Sequence, residues 1–411
     1  MRMVLDYLTS KDLEFEVSSE RLIRPLERSR KRPDHKNLEA SLLKPEDSNN
    51  LMSMAASSRD IVIIVEDHTR HSPVIETLRY LKRGFEDREI SWGKVRLLVA
   101  SGTHREMTKM EIASKFEEFA LDTEIIQHNA YDDSQMRDYG LFMDVPLQIN
   151  RNIEADLKVA IGSIVPHRFS GWSGGAKMVV PGVASYETVF KSHKMAILKS
   201  SANVGVARNE FRELIDEAGL RVGLDFIINY YYGIDGLPKG CVSGNHVSAH
   251  KTGVKLAQQE VLQVFDQKSD VTVISAYPSV TDFWQGGKAL YTADLITKDG
   301  GDIVLVAPLE EGFGDHPVFA RLLTNRSEEI LSELDKLSSD DPLAYVAAYA
   351  VKDIMERKRV HIVSDTTYDS LFEFVGLKVH RDLQAVIDST VISSRTIIVL
   401  ENSYTLPQVG E

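Results

Sequence analysis

His104 and His167 each stand just after a short apolar run. Imidazole is the side chain whose unperturbed pKa lies near neutrality, so either can exchange a proton with a substrate. Taken singly, each is more often a hydrogen-bonded loop histidine. Taken together they point to inversion of a stereocentre, because two bases on opposite faces of a carbon are what that chemistry requires. Arg70 offers a planar fork suited to a carboxylate or phosphate, and Asp67 just before it is placed to orient it. The bland alternative is a local Asp–Arg surface pair. Ser173-Gly174-Gly175 can bring backbone N–H groups close to an anion, since glycine has no Cβ in the way, or can be a plain structural turn. Lys177, just beyond, reads as a phosphate partner, as a covalent nucleophile if burial depresses its pKa, or as a solvated lysine.

His193, in Lys191-Ser192-His193-Lys194, can ligate a metal through a neutral ring nitrogen. With no H-E-x-x-H and no cysteine pair, an all-protein zinc site has little support. His246 and His250, at helical i, i+4 spacing, read as a solvated helix face, and His68 and His71 beside Arg70 receive no role. Nucleotide motifs fail when counted out. Lys177 follows Ala176 rather than glycine, and Gly312-Phe313-Gly314 is followed by Pro317 where a dinucleotide fingerprint needs glycine.

The elements that must position these groups are short apolar runs at 61–65, 95–100, 157–161, 271–275, 303–307, 360–363 and 396–400, most of which read as buried parallel strands. Helix-like segments at 106–120, with Met107, Met110, Ile112 and Phe116 at approximate helical spacing, and at 327–337 lie between them. Alternating strands and helices imply an α/β protein with mostly parallel sheets. Ligands in such sheets bind in a cleft beyond the strand carboxyl ends. Those ends carry Asp67–Arg70, Gly102-Thr103-His104, Pro166-His167 with the turn to Lys177, and Trp284-Gln285-Gly286-Gly287-Lys288. A polar break near residue 268 divides an N-terminal cofactor- and substrate-binding domain, 1–268, from a C-terminal α/β domain, 269–395, and the last strand and tail, 396–411, are expected to return to the first.

The 411 residues suit two or three domains; 43% are hydrophobic and 27% charged, an ordinary globular composition. The net charge of −13 repels a phosphate backbone, and the densest basic run, Arg28 with Arg30, Lys31 and Arg32, reads as a solvated loop, so nucleic acid is not an expected partner. The lone Cys241 cannot form an internal disulfide. Charges at Asp6, Lys11, Asp12, Glu14 and Glu16 leave no apolar core for a signal peptide, and no stretch approaches the roughly 18 apolar residues of a membrane span. The expectation is a soluble, cytoplasmic protein without a membrane partner.

The stretch His167-Arg168-Phe169-Ser170-Gly171-Trp172-Ser173-Gly174-Gly175-Ala176-Lys177, running through Pro181-Gly182-Val183 to His193, closely resembles the signature of the nickel-dependent lactate racemase family. Asp67–Arg70, Gly102-Thr103-His104, Asn209–Glu217 and Trp284–Lys288 also fall in the family's order, so the resemblance spans most of the chain. It implies a two-domain racemase or epimerase of a 2-hydroxy acid that holds a nickel-pincer nucleotide made by dedicated maturation enzymes. Lys177 would carry that cofactor covalently beside Ser173, Gly174 and Gly175, and His193 would supply the nickel ligand. His104 and His167 would be the acid/base pair, and Arg70, Asp67, Gln285 and Lys288 would bind substrate. His71 stands where the family commonly has proline, Trp172 where phenylalanine is usual, and Trp284 where tyrosine is frequent, which implies altered substrate preference. Two rivals stand beside this reading: an α/β oxidoreductase with a dissociable nicotinamide, and a non-catalytic carboxylate- or nucleotide-binding protein.

Overall fold

The computed structural model describes residues 1–8, 11–26, 35–70, 72–198, 204–314, 316–334 and 341–410; the basic run at 28–32 and His71 lie outside these. The chain divides into two compact units, one of Arg32–Tyr232 with Pro238–Glu260, the other of Met1–Lys31, Gly233–Leu237 and Val261–Glu411. Among the described residues no helix is long and apolar enough to cross a membrane.

The unit built on Arg32–Tyr232 contains a six-stranded sheet of β1 (Ile61–Glu66), β2 (Val95–Ala100), β3 (Glu124–Gln127), β4 (Leu157–Ile164), β5 (Phe226–Tyr232) and β6 (Pro238–Gly244), in the order β3-β2-β1-β4-β5-β6. The first five are parallel, and β6 runs back antiparallel along β5. β1 and β5 are buried at every position, as expected of parallel strands covered on both faces. The Ile/Val run of β1 and the Ile- and Tyr-rich β5 fit that environment. β2 lies on one side of β1 and β4 on the other, so the winding reverses at β1. A crevice forms beyond the strand carboxyl ends at such a switch point, and the loops after β1, β2 and β4 open there.

The helical stretch expected at 106–120 is shorter and broken. Thr108 caps α1 (Lys109–Phe116) in a reciprocal capping box with Glu111, and Glu117 then adopts φ 46°, which no α-helix continues through. Phe116 and Phe119 are fully buried while Met110 is 83% exposed, so the apolar stripe is narrower than its spacing suggested. Three further helices matter for the site: α2 (Tyr186–Leu198), α3 (Glu210–Val222) and α4 (Ser248–Val261).

The other unit carries a five-stranded parallel sheet of β7 (Ser269–Ser275), β8 (Thr297–Val306), β9 (Arg359–Val363), β10 (Lys378–His380) and β11 (Ile397–Leu400), in the order β10-β9-β8-β7-β11. This corrects the expected division. The strand expected at 396–400 does not rejoin the first sheet; it pairs with β7, Val271 opposite Ile397, and buries Ile397, Ile398 and Leu400 there, while the tail strand Leu406–Val409 pairs with Leu262–Phe265 in the same unit. The N-terminal hairpin of Arg2–Leu8 and Lys11–Glu16 packs Leu5, Tyr7 and Phe15 into the same buried cluster as Ile397. The helix expected at 327–337 is described over Ser327–Leu334.

Candidate active site

The loop after β1 begins with Asp67, which is only 2% exposed. His104, from the loop after β2, donates its Nδ1 proton to Asp67 Oδ2 at 2.7 Å, and Thr69 donates both its N–H and its hydroxyl to Oδ1. Burial pushes the Asp67 carboxyl up, but the bond and charge of His104, then the charge of Arg70 and the Thr69 hydroxyl, outweigh it and hold the group well below the usual carboxylate range. A permanent carboxylate at Nδ1 assigns the His104 proton to that nitrogen and leaves Nε2 as the basic one. Asp67 was expected to orient Arg70, but the Arg70 guanidinium donates instead to the carbonyl and hydroxyl of Thr69. Lys115 from α1 caps the Arg70 carbonyl at 2.8 Å, a second cation beside the loop that sequence reading missed; burial lowers its ammonium pKa against the pull of Glu66 and Asp67.

His167 follows β4 and has the opposite polarity. Its Nδ1 accepts from the backbone N–H of Phe169 at 3.2 Å and of Ser170 at 3.3 Å, so the neutral ring carries its proton on Nε2. The Phe169 ring lies 6.1 Å from His167 and packs edge-on, at 5.3 Å, against His193, which is in turn edge-on to Phe211. The turn after β4 therefore brings His167 and α2 together. His193 donates Nδ1–H to the Val189 carbonyl one turn back at 2.8 Å, which assigns its lone pair to Nε2, the nitrogen a metal would use.

The turn to Lys177 is tightly built. Ser173 bonds across β4 through its N–H to the Val165 carbonyl and through its hydroxyl to the Ser163 carbonyl. Gly174 sits at φ 85°, and a Cβ there would come within 2.6 Å of Ile164 and 2.7 Å of the Asn229 oxygen, so only glycine fits. Lys177 is half-buried in the short helical turn Gly175–Met178. The following segment is tied to the His104 loop by Gly102 N–H donating to the Gly182 carbonyl at 2.8 Å. The loops that bear Asp67, His104 and Lys177 are thus joined by hydrogen bonds at the carboxyl ends of the central strands.

His246 and His250 do not form a solvated face: they are 4% and 5% exposed, at the start of α4, and His250 bonds beneath this same turn. Trp172, expected to alter a pocket wall, is 1% exposed with its Nε1 donating to the Gly205 carbonyl, so its ring fills the interior instead. Gln285 and Lys288 belong to the other unit, where the Lys288 ammonium donates to the Gln285 amide oxygen and Trp284 stacks on His316 with ring centres 3.8 Å apart. Among the described residues no cluster of three or more His, Cys, Asp or Glu side chains is arranged to hold a metal.

Residues 8–205 match the family model described as the lactate racemase N-terminal domain. Over 299 residues the chain is 32% identical to the lactate racemase of Lactiplantibacillus plantarum, a match covering 70% of this chain and 69% of that protein. It is 28% identical over 340 residues to the lactate racemase of Thermoanaerobacterium thermosaccharolyticum, covering 80% and 79%. The solved structure of the lactate racemase apoprotein from that organism is similar along all of both chains, with a TM-score of 0.88 at 25% identity. A Thermotoga maritima protein of known structure shares the fold, with a TM-score of 0.70 at 19% identity over 89% of this chain and all of that one.

Proposed function

The chain belongs to the lactate racemase family, and on that premise we propose that it is an isomerase that inverts carbon 2 of lactate or a related 2-hydroxy acid. The observation that carries this reading is the opposed polarity of two histidines beyond the strand carboxyl ends of one sheet, Nε2 of His104 basic and Nε2 of His167 protonated. His104 Nε2 takes the proton of the substrate hydroxyl, and Asp67 stabilises the imidazolium that results. His167 returns a proton from Nε2 to the oxygen after inversion. Arg70 grips the carboxylate through its fork.

The family resemblance implies a nickel-pincer nucleotide, and the chain fits one. Lys177 follows a fixed glycine turn and is half-buried, and His193 has its lone pair assigned to Nε2. Lys177 would hold the group covalently beside Ser173, Gly174 and Gly175, and His193 would ligate its nickel. When bound, such a group would supply a reversible hydride acceptor for carbon 2, the chemistry that inversion through a planar 2-oxo acid requires. Gln285 and Lys288 are assigned to substrate on the resemblance alone. Trp284, lacking a tyrosine hydroxyl, is where preference for an acid other than lactate is to be sought. Cofactor-maturation enzymes are the partners this reading requires.

The strand order β3-β2-β1-β4-β5 also suits a dinucleotide, which favours the oxidoreductase rival. Against it, the turn after β1 reads Asp67-His68-Thr69-Arg70, with no glycine to admit a pyrophosphate. Intact-mass spectrometry and metal analysis of protein co-expressed with the maturation enzymes decide the matter. A covalent adduct with stoichiometric nickel, lost in Lys177→Ala, is expected; no adduct and no nickel would overturn the cofactor reading.

A further inference from the structure

Four successive residues of the turn before Lys177 are gripped by side chains from three other elements. Arg212 of α3 donates to the Trp172 carbonyl at 2.7 Å and to the Gly174 carbonyl at 3.2 Å. His250 of α4 donates to the Ser173 carbonyl at 2.9 Å. Asn229 of β5 accepts the Gly175 N–H at 2.7 Å. All three side chains are interior, at 4%, 5% and 0% exposure.

A plain turn does not need this. Burying a guanidinium is costly, and among the described residues Arg212 pairs with one carboxylate, Asp216 at 3.4 Å, while its Nε lacks any partner. Its charge is given mainly to two carbonyls of the turn. The packing also closes other conformations: a Cβ on Gly175 would lie 3.1 Å from the Arg212 guanidinium and 3.2 Å from the His250 ring. Burial keeps His250 neutral, so one ring proton is committed to Ser173. Three consecutive carbonyls are drawn inward, and the direction of the chain leaving the turn at Lys177 is set by them.

We propose that Arg212 and His250 are positioning residues for Lys177, holding the 172–175 backbone so that the Lys177 amine is presented for covalent loading; this rests on the reading that Lys177 carries the cofactor. The test compares full-length wild type with Arg212→Lys, His250→Leu and His250→Gln. Protein co-expressed with the maturation enzymes is scored by intact mass for the Lys177 adduct. Protein made without them is scored by peptide mass spectrometry for the rate at which an N-hydroxysuccinimide ester of acetate acylates Lys177 relative to the other lysines, and circular dichroism melts identify the folded variants.

Arg212→Lys and His250→Leu are expected to carry at least ten-fold less adduct and to shift relative acylation of Lys177 three-fold or more while melting cooperatively. His250→Gln, whose amide restores a donor to the Ser173 carbonyl, is expected to regain at least half the adduct, a rescue that a general loss of packing would not show. If one of the first two variants does not fold, the other decides. Full loading and unchanged acylation in a folded variant overturn the proposal. If wild type itself carries no adduct, the covalent-lysine reading fails separately, and acylation alone decides whether these side chains position the amine.

Discussion

Two buried carboxylates in this molecule hold a histidine, and they are used differently. Asp67 and Asp302 are each 2% exposed, and each is held well below the usual carboxylate range although burial pushes it up. Their histidines are similarly accessible, His104 at 25% and His361 at 20% of the side chain. At Asp302 the histidine shares the carboxylate with the forks of Arg359 and Arg395 at the amino-terminal ends of β9 and β11. The other nitrogen of His361, Nδ1, is buried with no partner among the described residues, sealed from any ligand. Asp67 lies at the carboxyl end of β1, where among the described residues its hydrogen-bond donors are Thr69 and His104 and no arginine bonds its oxygens. A carboxylate–histidine pair is therefore not a site in itself. Position at the strand carboxyl ends, and a carboxylate to which arginine contributes charge but no hydrogen bond, separate the pair that can do chemistry from the pair that ties strands together.

The largest effect is expected outside both pairs: Lys177→Ala abolishes turnover while leaving the melting curve unchanged, checked by chiral assay beside thermal denaturation. Next, Asp67→Asn keeps the shape but offers His104 an amide that can bond the wrong ring nitrogen. Turnover is expected to fall roughly 10³–10⁴-fold, measured as kcat with the fold verified by circular dichroism; a loss under ten-fold would erase the distinction drawn between the two pairs. Asp302→Asn should do the reverse, costing about 3–5 kcal/mol of stability because it strands Arg395 and His361, with kcat of the folded fraction within about two-fold by the same reasoning. Denaturant titration and steady-state kinetics on one preparation separate these outcomes.

The smallest effect is a pH dependence that sorts histidines from carboxylates. Burial lowers the pKa of His128 to about 4, with its Nε2–H bonded to the Ala184 carbonyl. Between its unfolded value near 6.5 and its folded value the unfolded chain binds the extra proton, so stability falls as pH falls through that window, by at most about 3 kcal/mol. The contributions of Asp67 and Asp302 have depressed pKa values, are present above the unfolded carboxylate value, and are lost only as pH drops below it. Urea unfolding at a series of pH values should show the His128→Gln variant with a flatter profile between pH 6.5 and 4 and no change below.

Much of the scaffold was legible because buried parallel strands write continuous apolar runs: β2 matches its expected span, and β1 and β4 differ only at their carboxyl ends. The loops carrying Asp67, His104 and His167 followed from that. What was hidden depended on contacts between distant positions. The spacing of His246 and His250 does not show what each meets: His246 precedes α4 and bonds the Asp216 carbonyl of α3, while His250 bonds the turn before Lys177. Arg212 looked like any helix arginine until its partners proved to be the carbonyls of Trp172 and Gly174. The return of β11 to β7 rather than to the first sheet likewise depends on which unpaired strand edge is within reach, information that a four-residue strand does not contain.

The most direct measurement follows L-lactate labelled with deuterium at carbon 2 on protein co-expressed with the maturation enzymes, using chiral chromatography and mass detection. D-lactate that retains its deuterium at carbon 2, formed by wild type and nearly absent with Asp67→Asn, is the expected result. No D-lactate, or D-lactate whose deuterium has washed into solvent, would contradict an enzyme in which histidines move only the hydroxyl proton while carbon 2 gives and regains hydride.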